Sequence, residues 1–174
     1  VQINTSESTQ QPSPDVALEY ENHTTAAKIV VTWETSTNSR DIAMRRYETN
    51  FTQRTTPPTA RSGQLAVNTY TDNIQKDPHV GMNTDGEFLI IWDGEGATPS
   101  GNHVWFQAYA TDGTALGSNT KINSSTITSA SRAKIAADKQ PRGGDDATTR
   151  TYMISFSGIS VDEGDSGIFA RQVQ

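Results

Sequence analysis

Three short pairs, Ile3-Asn4, Val67-Asn68 and Ile122-Asn123, recur along the chain, and ten residues after each asparagine a new run opens, at Pro14, Pro78 and Ala133. The links between them, residues 5–13, 69–77 and 124–132, are rich in Ser, Thr, Gln and Asn. Equal offsets with matching composition define an internal repeat. A repeat of this length must be one supersecondary unit that covers its apolar face with the next copy.

The unit is clearest between Leu65 and Asn123. Short apolar runs at residues 78–82, 88–92 and 104–109 are separated by turn signals, among them Asp85-Gly86 and Asp112-Gly113, and Lys121-Ile122-Asn123 restates the opening pair. Such runs read as strands joined by hairpins. The flanking units align strand by strand: residues 15–18, 79–82 and 134–137, then 29–33, 88–92 and 152–156, then 42–47, 104–109 and 168–173. The runs at 28–33 and 88–92 read as strands buried on both faces. An aromatic residue closes each second strand, Trp33, Trp92 and Phe156, and is expected to anchor a core between packed sheets.

The expected fold is therefore all-β: three four-stranded antiparallel β-propeller-like blades forming one domain, 1–174. Repeat one covers 5–68, repeat two 69–123 and repeat three 124–174. The third unit stops at Gln174 before its fourth strand, while residues 1–4 form a fourth strand with no unit of its own. The third blade is thus expected to be completed by the N-terminal strand or by a neighbouring chain. Closed propellers usually carry ~4–8 blades. The chain is accordingly expected to be a segment of a longer repeat protein, one part of a ring of two copies, or a link in an open array. A β-sandwich of the same strands is the structural alternative.

Composition limits the partners. The formal net charge is -6, which disfavours a nucleic-acid backbone. Leu, Ile, Val and Phe together number only 30 of 174, so the core has to be narrow. There is no cysteine, which excludes disulfides, thiolate metal sites and a Cys nucleophile. No apolar run approaches the ~20 residues of a transmembrane helix. The opening Val1-Gln2-Ile3-Asn4 has neither an initiator Met nor a signal-peptide pattern, so the chain is expected to begin inside a longer or processed polypeptide.

Residues Phe106-Gln107-Ala108-Tyr109-Ala110-Thr111-Asp112-Gly113-Thr114-Ala115-Leu116-Gly117, followed by Lys121-Ile122-Asn123, resemble tandem propeller-type repeats of large secreted and cell-surface bacterial proteins. There the pattern is a strand, an Asp-Gly turn, a Gly, a Val-Asn strand, a polar link, Pro-x-Val, a second Asp-Gly turn and an apolar strand ending in Trp. Residues 65–123 match it well. Residues 1–64 keep the strands and lose both Asp-Gly turns, and residues 124–174 lose the Pro and the first turn. The resemblance implies an extracellular or cell-surface, bacterial, structural or binding role, and supplies no site.

Catalytic chemistry finds little footing. The histidines, His23, His79 and His103, lie at strand edges or in polar loops, and no Gly-x-Ser-x-Gly elbow occurs. No two of them have zinc-ligand spacing. Paired carboxylates serve glycosidases, and Glu34, Asp93 and Glu95 follow second strands, where solvation of loop tips is the expected role. The loop Asp162-Glu163-Gly164-Asp165 has a calcium-like composition without EF-hand alternation, making Asp162, Glu163 and Asp165 the candidate metal ligands. Gly143-Gly144-Asp145-Asp146 departs from secreted calcium β-roll repeats. Sequons at Asn4, Asn22, Asn50 and Asn123 are expected by chance in a chain this rich in Asn and Thr.

The expected function is a non-enzymatic extracellular repeat module, structural or adhesive, with unequal loops at 21–26, 54–61 and 139–150 facing outward. Its expected partners are other copies or flanking repeats of the same protein, with surface glycans as a second class. The enzyme-class rival is a polysaccharide-binding or polysaccharide-degrading propeller domain. The assembly rival is a filament or ring subunit joined by strand complementation.

Overall fold

A computed structural model describes residues 2–4, 11–19, 27–35, 40–49, 58–96, 101–138 and 151–174. Among these the strands are β1 (Asp15–Glu19), β2 (Ala27–Glu34), β3 (Ile42–Thr49), β4 (Thr59–Ala60), β5 (Leu65–Ala66), β6 (Gln75–Met82), β7 (Phe88–Gly94), β8 (His103–Tyr109), β9 (Ala115–Lys121), β10 (Ile127–Ala137), β11 (Tyr152–Ser160) and β12 (Ser166–Val173). They form three sheets, and no helix is present among the described residues. The first sheet runs β1-β2-β3, with short β4 and β5 both on the outer edge of β3. The second runs β6-β7-β8-β9 and the third β10-β11-β12. Every pairing is antiparallel, and every strand except β5, which joins β3, lies beside a chain neighbour, as short hairpin connections dictate. The described sheets do not close into a barrel or ring.

Three strand boundaries differ from the expectation. The polar links enter the first strands, so that β6 begins at Gln75 and β10 at Ile127. Their polar residues sit at bulges where the chain turns through positive φ, at Asp77 (51°), Ser129 (51°) and Arg132 (57°). A bulge leaves a residue unpaired and bends the strand. Likewise β9 starts at Ala115, six residues early, because Gly117 at φ 73° absorbs a register shift against β8.

β7 is the hub. All seven of its residues are buried, and the period-two alternation divides them between two cores. Phe88, Ile90 and Trp92 join Val30, Ile42, Met44, Val67, Val80, Met82 and Tyr109 in a cluster between the first and second sheets. Leu89 and Ile91 join Val104, Ile122, Ala130, Ala133, Tyr152, Ile154 and Phe156 between the second and third. Each large side chain fully buried this way contributes about 1.5–3 kcal/mol. Gly81 lets the two closely packed first strands approach: a Cβ there would lie 3.0 Å from the Ile135 side chain.

β2 departs from its expected burial on both faces. Val30 and Thr32 face the second sheet and are buried, whereas Ile29 and Val31 are half-buried. Their neighbours on that rear face, Val16 and Leu18, are 60% and 42% exposed, since no described sheet packs behind the first. Among the described residues, 2–4 do not pair with the third sheet, where the sequence placed residues 1–4 as one way of completing it. Ile3 instead lies against the first sheet, its carbonyl accepting from Arg45 Nη1 (2.8 Å) and Tyr47 Oη (3.3 Å). Those donors, both on β3, hold it against the first sheet.

Candidate functional site

The polar residues of the molecule gather at the junctions between sheets. At the ends of β2 and β7 a carboxylate reaches forward to the bulge of the following sheet. Glu34 Oε1 accepts from Asp77 N–H at 2.9 Å, and Asp93 accepts from the N–H groups of Arg132 at 2.6 Å and Ala133 at 3.5 Å. Both acids are 1% exposed, which corrects their expected role at solvated loop tips. A bulge residue at positive φ frees its N–H from the strand ladder, and an uncompensated buried N–H would cost about 1–3 kcal/mol. Burial pushes the Asp93 carboxyl above the ordinary carboxylate range, against the smaller opposing effect of the Arg132 and Ala133 N–H donors. Glu95, the third candidate carboxylate, is exposed, and its backbone carbonyl accepts from Gln75 Nε2 (3.0 Å).

The Ile/Val-Asn pairs close the outer strands. Val67 N–H donates to Ile42 O (2.9 Å) and Ile42 N–H donates to Asn68 Oδ1 (2.7 Å). One unit later Ile122 N–H donates to Val104 O (2.8 Å) and Val104 N–H to Asn123 Oδ1 (3.1 Å). Asn123 is 2% exposed, so its sequon serves packing.

A third element had no expectation attached. Trp92 Nε1 donates to Gln75 Oε1 at 3.0 Å, both groups buried. Gln11, Gln75 and Ala130 each stand seven residues after the repeat asparagine. Gln accompanies Trp in the first two units, while Ala130 accompanies Phe156, which has no N–H to satisfy. In the first sheet Trp33 Nε1 and Gln11 Oε1 are buried without a hydrogen bond. The side chains could have been found by pairing positions across units.

Eleven residues after the same asparagines stand Asp15, His79 and Lys134, on the first strand of each sheet. Asp15 Oδ2 lies 3.0 Å from His79 Nδ1 and also accepts from Val80 N–H (3.0 Å), and Lys134 Nζ lies 2.7 Å from His79 Nε2. An ammonium has only donors, so Nε2 is the acceptor and Nδ1 carries the hydrogen toward Asp15. With its lone pair held by Lys134, this imidazole has no nitrogen free to activate a nucleophile. His103 is buried beside Asn123, and His23 lies outside the described residues.

Two clefts open between the sheets. One of about 450 Å³, between the first and second, is lined by Lys28, Arg46, Arg61, Glu48, Glu87 and Asp112. Its cations are engaged: Lys28 donates to Asp85 O (3.1 Å), Arg46 to Thr111 O (3.0 Å) and Asp112 O, and Arg61 pairs with Glu48. These bonds dock both Asp-Gly turns onto the first sheet. Gly86 and Gly113, at φ 83° and 85°, carry no Cβ because one would strike Lys28 and Arg46 as well as strain the turn. The other cleft, about 500 Å³, lies between the second and third sheets beside Phe106, Tyr109, Leu116, Tyr152 and Val173. Burial raises the Tyr109 hydroxyl to about 12.

The calcium candidates share one turn. Asp162 and Glu163 lie in the exposed β11–β12 turn with Asp165, whose carbonyl accepts from Ser160 N–H (3.0 Å). No group of three His, Asp or Glu side chains among the described residues is placed to hold a metal ion. Asp145, Asp146 and the loops at 21–26 and 139–150 lie outside the described residues, as do residues 54–57 of the 54–61 loop. Nor does any helix among the described residues suffice in length and apolarity to cross a membrane. No family model, no curated protein and no solved structure matches the chain.

Proposed function

We propose that the chain is a non-catalytic structural repeat module in which the three sheets serve as successive propeller-type blades. The observation that carries this reading is the duplicated junction. Glu34 and Asp93, one unit apart, each bind the bulge N–H of the following sheet. Glu34 and Asp93, the buried acids among the sequence's glycosidase candidates, are both committed to such clamps, and His79 has a partner at each ring nitrogen. Placement outside the cell or on its surface, in an adhesive or scaffolding role, rests on the resemblance of residues 65–123 to secreted repeats. The unequal loops at 21–26, 54–61 and 139–150 are where such a module would meet a partner such as a surface glycan.

The test is a panel of polysaccharides offered to the purified chain, with product release measured alongside a glycan-array screen. Absence of turnover is expected. Turnover that is lost on Glu95→Gln or Asp93→Asn, in variants that still fold, would overturn the reading. Glycan binding lost on shortening 139–150 would assign the adhesive role to that loop.

A further inference from the structure

We infer that the chain associates head to tail with a second copy of itself, residues 2–4 of one copy completing the third sheet of the other. The inference rests on the repeat-module reading above and adds the partner and the register.

Three carbonyls reveal the register. Val67 O accepts from Asn119 Nδ2 (3.2 Å), which in turn is held by Gln107 Oε1 (2.8 Å). Ile122 O accepts from Arg171 Nη1, and Ile3 O from Arg45 Nη1 (2.8 Å). Arg45, Gln107 and Arg171 occupy one position of the repeat, three residues after Ile42, Val104 and Ile168. Ile3-Asn4 therefore stands behind the first sheet as Val67-Asn68 stands behind the second and Ile122-Asn123 behind the third. In the two internal cases that pair ends the fourth strand of the preceding sheet. Among the described residues no sheet stands before Ile3-Asn4, and the third sheet has three strands where the second has four. The position waiting for the pair is Ile168, which is 79% exposed where its counterparts Ile42 and Val104 are fully buried.

The faces agree with the register. Met153 (47% exposed) and Ile168 on the open side of the third sheet occupy the positions of Leu89 and Val104. Val16 and Leu18 on the open side of the first occupy those of Val80 and Met82. In the internal junctions these positions form the cores. Charge agrees too. Asp15 meets His79 and His79 meets Lys134 across successive first strands. Continuing the series brings the exposed Lys134 ammonium to Asp15 of the next copy. One position differs: Ser157 replaces the clamping acid of Glu34 and Asp93, so this junction lacks a charge-assisted bond to the Ser13 bulge (φ 56°) and is weaker than the internal ones.

The measurement is the mass of the full chain by sedimentation equilibrium across a concentration series. The wild type is expected to associate. Ile168→Arg blocks the front face and Val16→Glu the rear. Each is expected to be monomeric with an unchanged melting temperature, the side chains being exposed. Met153→Glu and Leu18→Glu replace them if either variant fails to fold. Mixing the front-blocked and rear-blocked chains leaves one intact junction, so a one-to-one dimer and nothing larger is expected. Asn4→Ala should weaken association by roughly tenfold, the loss of one buried hydrogen bond. A monomeric wild type, association indifferent to either block, or a mixture that stays monomeric would each overturn the inference. Mass and polysaccharide turnover are separate readouts, so a monomeric chain without turnover refutes this interface and leaves the non-catalytic reading standing.

Discussion

Asp93→Asn probes the junction that binds the second sheet to the third. The carboxylate takes the Arg132 N–H at 2.6 Å and the Ala133 N–H at 3.5 Å, at 1% exposure. The amide oxygen can keep the short bond, minus its charge assistance, at a cost of about 1 kcal/mol. The amide nitrogen then faces the Ala133 N–H, donor against donor, for about another 1 kcal/mol. A loss of about 2 kcal/mol corresponds to about 4–8 °C in melting temperature for a chain of this size. The effect also carries a pH signature. Burial raises this carboxyl in the folded state, so between the unfolded value and the raised one the native state holds more protons than the unfolded chain. Stability then falls as pH rises through that window. The asparagine does not titrate, so the penalty of the substitution is largest below the ordinary carboxylate range and shrinks as pH climbs past the raised value. Urea unfolding of both proteins, followed by circular dichroism from acid to neutral pH, measures it. A variant as stable as the wild type would refute the clamp, and a penalty that grows with pH across the window would show that the two N–H donors outweigh burial at this carboxyl.

The Gln–Trp pairing is tested by a double-mutant cycle in urea. Trp92→Phe strands Gln75 Oε1 and should cost about 1–3 kcal/mol. Adding Gln75→Ala, the combination present as Ala130 and Phe156, should show a coupling of about 1 kcal/mol, and strict additivity would contradict the pairing. Asn123→Ala leaves the Val104 N–H buried without its acceptor; a loss of about 1–3 kcal/mol is expected, and a neutral result in thermal melts would argue against the clamp. Gly113→Ala meets both a positive φ and the Arg46 side chain, so about 1–2 kcal/mol should be lost, with Arg46→Ala relieving part of it.

Much of the architecture was legible because strand periodicity and turn chemistry are local. Asp85-Gly86 and Asp112-Gly113 make their turns, and Trp33, Trp92 and Phe156 are each no more than 3% exposed. The candidate site was not legible in the same way. Glu34 and Asp93 follow apolar strands and carry the outward signature of loop residues. Only the docking of another sheet brings a backbone donor against them.

By itself the sequence determined the repeat, the order and approximate extent of the strands, and the all-β class, since each follows from contacts between residues near in the chain. Which face of each strand is covered was decided by tertiary structure alone. β2 and β7 read alike, yet among the described residues β7 has a sheet on either side and β2 has one, and a strand cannot encode how many neighbours its sheet will find. The same holds for Ile3-Asn4. The sequence marked it as a fourth strand without a unit, and packing against Arg45 and Tyr47 placed it behind the first sheet.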